Sequence, residues 1–471
     1  MSDAACRAAS GEFPILAVAG RPVLHSMSPI IFRELFRSSA TKAAYTRVAA
    51  GSAAEALFLF RSLGMRGMNL TSPFKEEAVP LVDELSADAR RLGAVNCLIP
   101  LGEGKVRGDN TDQQGVLGGL RGHGVEIEGK VCLVLGSGGA GKAAAFALQS
   151  AGGRVTIANR TRSRADDVAA LVGCNSASLS DLPELARSAD LIVSTIASAA
   201  LPDPESWFPP GPSEDPSAPG RPTAVLDADY KTGALARYAA SRGLPVATGA
   251  DWLLSQALPA YSLFMGTEAK GAAARGDIAV LLEAACRDGS PGARQSGRKI
   301  ALVGLMGAGK TRAGKILSQL LGIPFADADA EIEADASATI AEIFAREGES
   351  GFRAREARAL DRITSIPGGA VISTGGGAPA SVPCAALLAE RCFPVWLYVT
   401  PKTAAARALK GPGGAATRPL LAGADPEERL AALEEERRGA YASCAELIVS
   451  TEGRGFGEVA EIIHDEIGLV S

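Results

Sequence analysis

The sequence predicts an α/β protein built on parallel sheets, and three observations predict it. Short apolar runs, Ile15–Ala19, Val131–Leu135, Leu191–Val193, Ile300–Val303 and Val395–Val399, read as buried strands. Segments of helical period lie between them, the alternation of a sheet covered by helices. Two different glycine loops each follow a strand-like run, one on either side of a polar stretch, Arg287 to Arg298. That stretch has no apolar residue larger than Ala and reads as an interdomain linker.

The 471 residues suffice for two to four domains of about 100–200 residues each. Apolar residues make up 47% and charged residues 21%, as in an ordinary globular chain. The net charge of −5 makes nucleic acid an unexpected partner. No apolar run is long enough to span a membrane, and residues 1–10 lack the apolar stretch of a secretory signal. The eight cysteines form no C-x-x-C pair and there are three histidines. A zinc site or disulfide framework is therefore not expected, and a cytoplasmic compartment is.

From the N-terminus, four polar clusters interrupt an apolar region: His25–Pro29 (HSMSP), Asn69–Lys75 (NLTSPFK), Gly93–Asn96 (GAVN) and Gly108–Asp112 (GDNTD). Each could be turn chemistry. Together they offer hydroxyls, amides, a lysine and an aspartate, the groups a site for a polyhydroxylated acid needs. Lys75 and Asp112 are candidates for proton transfer.

Val131–Leu135 then runs into Gly136-Ser137-Gly138-Gly139-Ala140-Gly141 and the Ala-rich segment Lys142–Ala151. This is G-x-G-x-x-G between strand and helix, where backbone can approach a pyrophosphate at a helix N-terminus. Gly136, Gly138, Gly139 and Ala140 are the candidate contacts. A second strand, Arg154–Ala158, ends in Asn159-Arg160-Thr161, with Arg164 following. Guanidinium groups stand where an NAD site keeps a carboxylate, so NADP(H) is the expected cofactor. A Pro- and Gly-rich stretch, 209–222, reads as a surface loop.

In this order the motifs resemble shikimate dehydrogenase over roughly residues 13–285. The resemblance implies a substrate-binding domain at 13–112, completed by about 250–285, and a Rossmann NADP-binding domain at 113–249. It implies that Ser26, Ser28 and Thr71 bind the substrate carboxylate, that Lys75 and Asp112 form the catalytic dyad, and that Asn96 binds ring hydroxyls. By the same resemblance Tyr230, in Asp227-Ala228-Asp229-Tyr230, and Gln256 touch substrate. There are departures: Ser194-Thr195-Ile196-Ala197-Ser198 replaces a threonine-serine pair, and Trp252 replaces a methionine near the nicotinamide.

After the linker, Ile300–Val303 precedes Gly304-Leu305-Met306-Gly307-Ala308-Gly309-Lys310-Thr311, a G-x-x-x-x-G-K-[ST] loop. Backbone amides at Gly307, Ala308 and Gly309 would cradle ATP phosphates, Lys310 would reach their oxygens and Thr311 would ligate Mg²⁺. The following helix is expected to bury Ala313, Ile316, Leu317 and Leu320 and to stop at Gly322. Asp327-Ala328-Asp329, Phe352–Glu356 (FRARE), Gly375–Gly377, Arg418 and Arg437 come later. Arginines beside an acid and a triple glycine suit an anionic hydroxy acid.

This set resembles shikimate kinase across the domain at 299–471. The resemblance implies that Asp327 helps hold Mg²⁺ through water and that Asp329 binds substrate hydroxyls and is the base. It implies that Arg353 and Arg437 clamp the carboxylate, that Gly375, Gly376 and Gly377 line the pocket, and that Arg418 comes from a closing lid. The lid, Leu409–Thr417, is poor in charge where the family often adds a second arginine. Together the resemblances imply a two-activity enzyme on the route to chorismate and the aromatic amino acids. It would reduce 3-dehydroshikimate with NADPH and phosphorylate shikimate with ATP and Mg²⁺, with small molecules as partners. A quinate-using dehydrogenase fused to the kinase, or a non-catalytic regulator on the same folds, are the alternatives. The linker leads to the expectation that a cut near Ser290 gives two independent active fragments.

Overall fold

The computed structural model describes residues 13–197, 200–207, 223–229, 233–268, 271–287, 299–410 and 425–468. The loop expected at 209–222 and the linker past Arg287 lie outside these residues, while Arg287 itself ends the helix Gly271–Arg287. No helix among the described residues is long and apolar enough to cross a membrane.

In chain order the strands are β1 (Ile15–Gly20), β2 (Ala44–Ala49), β3 (Gly67–Leu70), β4 (Glu84–Leu85), β5 (Cys97–Gly102) and β6 (Lys105–Asp109). They continue as β7 (Val131–Leu135), β8 (Arg154–Asn159), β9 (Asn175–Ser178), β10 (Leu191–Ser194), β11 (Ala224–Asp227) and β12 (Val246–Thr248). The last five are β13 (Lys299–Val303), β14 (Phe325–Asp327), β15 (Val371–Ser373), β16 (Cys392–Tyr398) and β17 (Leu447–Ser450). The five strands read from the sequence thus appear as β1, β7, β10, β13 and β16.

The described residues of Ile30–Ala40 and Lys75–Arg287 form one compact unit, and those of Cys6–Pro29, Thr41–Phe74 and Asp288–Ser471 form the other. In the first, a parallel sheet runs β12-β11-β10-β7-β8-β9. The strand order reverses between β7 and β10, which opens a crevice at their carboxyl ends. The helix Gly139–Ser150 buries Ala143 to Leu148 against this sheet. Elsewhere in the unit, helix Asp112–Gly122 lies against helix Gly249–Met265 through its glycines: a Cβ at Gly115 would stand 2.4 Å from Trp252 Cδ1 and 2.9 Å from Gln256 Cβ. The substituted Trp252 is therefore a packing residue of this helix pair.

In the second unit a parallel sheet runs β14-β15-β13-β16-β17-β2-β1-β3. The helix Lys310–Leu321 covers β13 with Ala313, Gly314, Leu317 and Ser318 rather than the expected stripe, and Leu320 stays 44% exposed. Gly314 is on the buried side because Phe325 lies where its Cβ would be, at 2.7 Å. Gly322 ends the helix in the left-handed conformation, as expected.

This sheet departs from the sequence reading at one place. The parts before and after the linker were expected to be independent, yet β17 pairs with β2, with Arg47, Val48 and Ala49 opposite Leu447, Ile448 and Val449. Every residue of both strands is buried, and their backbone edges pair with one another, so two sheet edges close on one another. Thr46 Oγ1 donates to Ala445 O (2.8 Å), Phe58 meets Tyr398 edge-on, and Arg454 forms a two-pronged ion pair with Glu55.

Candidate active sites

In the unit that carries β4–β12, the residues before helix Asp112–Gly122 form a connected polar cluster. Lys75 Nζ donates to Asp112 Oδ2 at 2.7 Å. Asn96 Nδ2 donates to the other oxygen of Asp112 at 3.0 Å, and Thr111 N donates to Asn96 Oδ1 at 2.9 Å. Asn110 Oδ1 accepts from Asp112 N, and Asn110 Nδ2 donates to Ala94 O. Asn96, Asn110, Thr111 and Asp112 are all buried, while Lys75 keeps 21% of its side chain exposed. Asp112 is thus fixed at both oxygens, and the ammonium beside it can reach a bound molecule. Gln256 enters the same region because Gly115, one turn after Asp112, lets its helix come close. Asn110, quoted in a motif but given no role, is a positioning residue of this cluster.

The serine and threonine of the expected carboxylate site belong to the other unit. Ser26 and Ser28 are buried with hydroxyls 3.3 Å apart. Thr71 follows β3 and its N–H bonds Ala19 O. Arg47 donates through Nε (3.2 Å) and Nη2 (2.8 Å) to Ser26 O. Tyr230 lies outside the described residues.

The first glycine loop follows β7, and Gly138 caps helix Gly139–Ser150. A Cβ on Gly141 would stand 1.9 Å from Gly136 O, so only glycine lets helix and strand approach this closely. Among the described residues nothing lies within 4 Å of a built Cβ at Gly138 or Gly139, and Ala140 is exposed. Open backbone amides at a helix start fit a pyrophosphate. Asn159 ends β8 and its amide donates to Thr161 O. Arg160 and Arg164 are exposed and make no ion pair with the described residues, whereas Arg162 is taken by Asp166. The first two fit a 2′-phosphate. Thr195 Oγ1 donates to Leu135 O, which turns this hydroxyl toward the strand.

The second site occupies a cavity of about 1060 Å³ lined by Lys310, Asp329, Arg353, Gly377, Arg437 and Phe456 among others. Lys310 Nζ donates to Gly304 O (2.8 Å) and Leu305 O (3.0 Å), so the ammonium sits within its own loop. Gly307 and Gly309 have φ of +83° and +89°, and Ala308 between them is buried. These turned amides and the ammonium fit a polyphosphate. Thr311 Oγ1 donates to Asp327 Oδ2 (2.8 Å) and lies 3.1 Å from Ser373 Oγ. Hydroxyl and carboxylate oxygens are hard donors and fit Mg²⁺.

Asp329 is buried, and burial pushes its carboxyl up to about 6 against the opposing charge of Lys310. The triple glycine explains how it fits. A Cβ on Gly375 would meet Glu356 Oε1 at 2.3 Å and Asp329 Oδ1 at 3.1 Å, and one on Gly377 would meet both terminal nitrogens of Arg353. Those two carboxylate oxygens and Arg437 Nε are buried without a hydrogen-bond partner among the described residues, as befits groups that bind something from outside the chain. Arg353 pairs with Glu356 at 2.8 Å, and burial raises the Glu356 carboxyl. Glu356 has no role in the sequence reading, although its spacing one turn after Arg353 is a usable signal. Arg407 donates to Thr451 and lies over the Phe456 ring. Arg418 lies outside the described residues.

Comparison with known proteins places both sites in context. Family models described as shikimate dehydrogenase substrate binding domain, shikimate / quinate 5-dehydrogenase and shikimate kinase match residues 18–98, 121–206 and 306–467. The shikimate dehydrogenase (NADP(+)) of Halobacterium salinarum is 38% identical over 266 residues, 55% of this chain and 97% of that protein. The shikimate kinase of Symbiobacterium thermophilum is 44% identical over 168 residues, 36% of this chain and 95% of that protein. A solved shikimate 5-dehydrogenase from Thermus thermophilus, in complex with NADP(H) and shikimate, aligns with a TM-score of 0.50 and 33% identity. It covers 57% of this chain and 100% of that one.

Proposed function

This chain belongs to the shikimate dehydrogenase family in its first part and to the shikimate kinase family in its last, and we propose from that premise how its residues divide the work. It is a bifunctional enzyme of the shikimate pathway, an NADP-dependent shikimate dehydrogenase and a shikimate kinase. The domains we assign are 13–112 with about 250–285 for substrate, 113–249 for NADP and 299–471 for the kinase. It acts on small molecules in the cytoplasm, a reading supported by the net charge of −5 and by free cysteines at 97, 132, 174, 384, 392 and 444.

In the dehydrogenase, Ser26, Ser28 and Thr71 hold the substrate carboxylate, and Asn96, Tyr230 and Gln256 hold the ring. Gly136–Ala140 would hold NADPH, with Arg160 and Arg164 receiving its 2′-phosphate, and NADPH would supply the hydride. Lys75 gives a proton to the carbonyl oxygen as it becomes a hydroxyl. Asp112, 2.7 Å away, keeps Lys75 oriented. In the kinase, Arg353 and Arg437 bind the shikimate carboxylate, and Asp329 accepts the proton of the 3-hydroxyl. Gly307–Lys310, Thr311 and Asp327 would hold ATP-Mg²⁺, which would supply the phosphoryl group, and Lys310 and Arg418 would neutralise its negative charge.

The observation that carries the reading is that each part pairs a lysine with a carboxylate at its reacting centre: Lys75 on Asp112, and Asp329 under the charge of Lys310. Incubation with 3-dehydroshikimate, NADPH and ATP-Mg²⁺ tests it. Shikimate 3-phosphate is the expected product. Unoxidised NADPH, or shikimate that accumulates without phosphorylation, would refute one activity or the other.

A further inference from the structure

We propose that the kinase part positions the dehydrogenase's substrate-carboxylate loop, with Glu466 of the last kinase helix holding the turn that leads into Ser26 and Ser28. The inference rests on the reading above that these serines bind the carboxylate.

After β1 the chain makes a turn in which Ser26 N donates to Val23 O at 3.0 Å. The turn leaves the N–H groups of Val23 and Leu24 facing the protein interior, where both residues are buried. Buried backbone donors need partners. Within the turn there is none for them. Glu466, itself 2% exposed at the end of helix Phe456–Gly468, supplies it. Its Oε2 accepts from Val23 N (2.9 Å) and Leu24 N (3.1 Å), and Oε1 accepts from Val23 N at 3.2 Å. Charge-assisted bonds of this kind are stronger than neutral ones.

The acceptor side of the same loop is held by a dehydrogenase arginine that the kinase in turn engages. Ser26 O takes both hydrogen bonds from Arg47, a residue 3% exposed on β2. The remaining Arg47 Nη1 pairs with Glu446 Oε2 at 3.3 Å, just before β17. The β2–β17 pairing sets Arg47 opposite Leu447 and so fixes this ion pair in register. Two carboxylates from beyond the linker, Glu466 and Glu446, therefore complete the bonding of one dehydrogenase loop. Neither lies in the kinase cavity. Glu466 acts through the backbone and is a positioning residue rather than a catalytic one.

The test uses the full chain, in steady state without ATP, with shikimate and NADP⁺ as substrates. Glu466→Ala is expected to raise the KM for shikimate about tenfold, since two buried donors lose their acceptor. The KM for NADP⁺, the dehydrogenase kcat and kinase turnover should stay within about twofold of the parent. Glu466→Gln keeps an acceptor and should recover most of the affinity. Glu446→Ala should raise the same KM by a smaller factor. Ser26→Ala serves as the control for the underlying reading. If Ser26→Ala weakens shikimate and neither Glu466→Ala nor Glu446→Ala does, the positioning role is overturned. If Ser26→Ala leaves shikimate binding intact, the carboxylate assignment fails and this inference fails with it. A uniform loss of both activities in Glu466→Ala, shared by Glu466→Gln, would make Glu466 a purely structural residue and overturn the proposal. Should Glu466→Ala not fold, Glu466→Gln and Glu446→Ala decide by the same KM criterion.

Discussion

Replacing Asp329 with asparagine should make the kinase part more stable while removing its activity. Burial raises the Asp329 carboxyl from 3.8 to about 6, so the folded state prefers the neutral acid. A group with a raised folded-state value contributes stability that is present below its unfolded value and is lost as the pH rises through the folded one. At 1.36 kcal/mol per unit, the ionised carboxylate costs the fold about 3 kcal/mol at pH 7.5 and roughly half of that at pH 5. The difference, on the order of 1 kcal/mol, corresponds to a few degrees, about 2–5 °C, in the melting temperature of a domain of this size. An asparagine amide does not titrate. The advantage of Asp329→Asn over the parent should therefore be larger at pH 7.5 than at pH 5 by that amount, read by calorimetry of the full chain. In the parent, shikimate phosphorylation should fall about tenfold per unit below pH 6, because a protonated base cannot take the hydroxyl proton. An equal melting-temperature difference at the two pH values would refute the argument that Asp329 is held ionised against burial.

Three further outcomes are expected. Lys75→Ala should lower dehydrogenase kcat by about 10²–10⁴-fold and leave phosphorylation of shikimate unchanged; dehydrogenase activity within a few-fold of the parent would remove Lys75 from the dyad. Arg160→Ala should weaken NADPH far more than NADH, by about 1.5–3 kcal/mol for a lost charge-assisted bond, and equal losses in KM for the two would show that Arg160 does not read the 2′-phosphate. Cutting the chain near Ser290 should cost residues 1–290 much of their shikimate affinity, which co-expression of residues 291–471 should restore; an N-terminal fragment with unchanged kcat/KM would show that the β2–β17 junction is dispensable.

What was legible in the sequence was local chemistry. Both glycine loops fall where strand, turn and helix follow one another within a few residues, and Gly141 shows why: its neighbour Gly136 lies on the same short loop. The Lys75–Asp112 pair joins residues 37 positions apart, and only the resemblance brought them together before the geometry did. The helix after Lys310 was legible in extent but not in orientation. Counting apolar residues put Leu320 inside, whereas packing chose the small Gly314 and Ser318 to accommodate neighbours such as Phe325. Glu356 was overlooked because an acid three residues after an arginine on a helix usually marks a solvated surface pair. Here it is 1% exposed and faces the triple glycine.

The junction between the two enzymes was illegible for a different reason. Every residue of β2 and of β17 is buried, and buried strands read alike whether they lie inside one sheet or join two. The charges that surround the junction mislead in the other direction. Glu55, Glu446, Arg454 and Glu466 have the composition of solvated surface groups, yet each meets a partner across the linker. A strand left unpaired at a sheet edge exposes a row of donors and acceptors that invites association with other chains. The fusion covers two such edges with each other. The linker therefore does less than the sheet to join the activities. Selection that keeps β2 and β17 compatible also keeps Glu466 beneath the serine loop and Glu55 on Arg454, which lines the kinase cavity. A substitution at Glu466 or Glu446 should consequently be felt in the dehydrogenase's affinity for shikimate before it is felt in either chemical step.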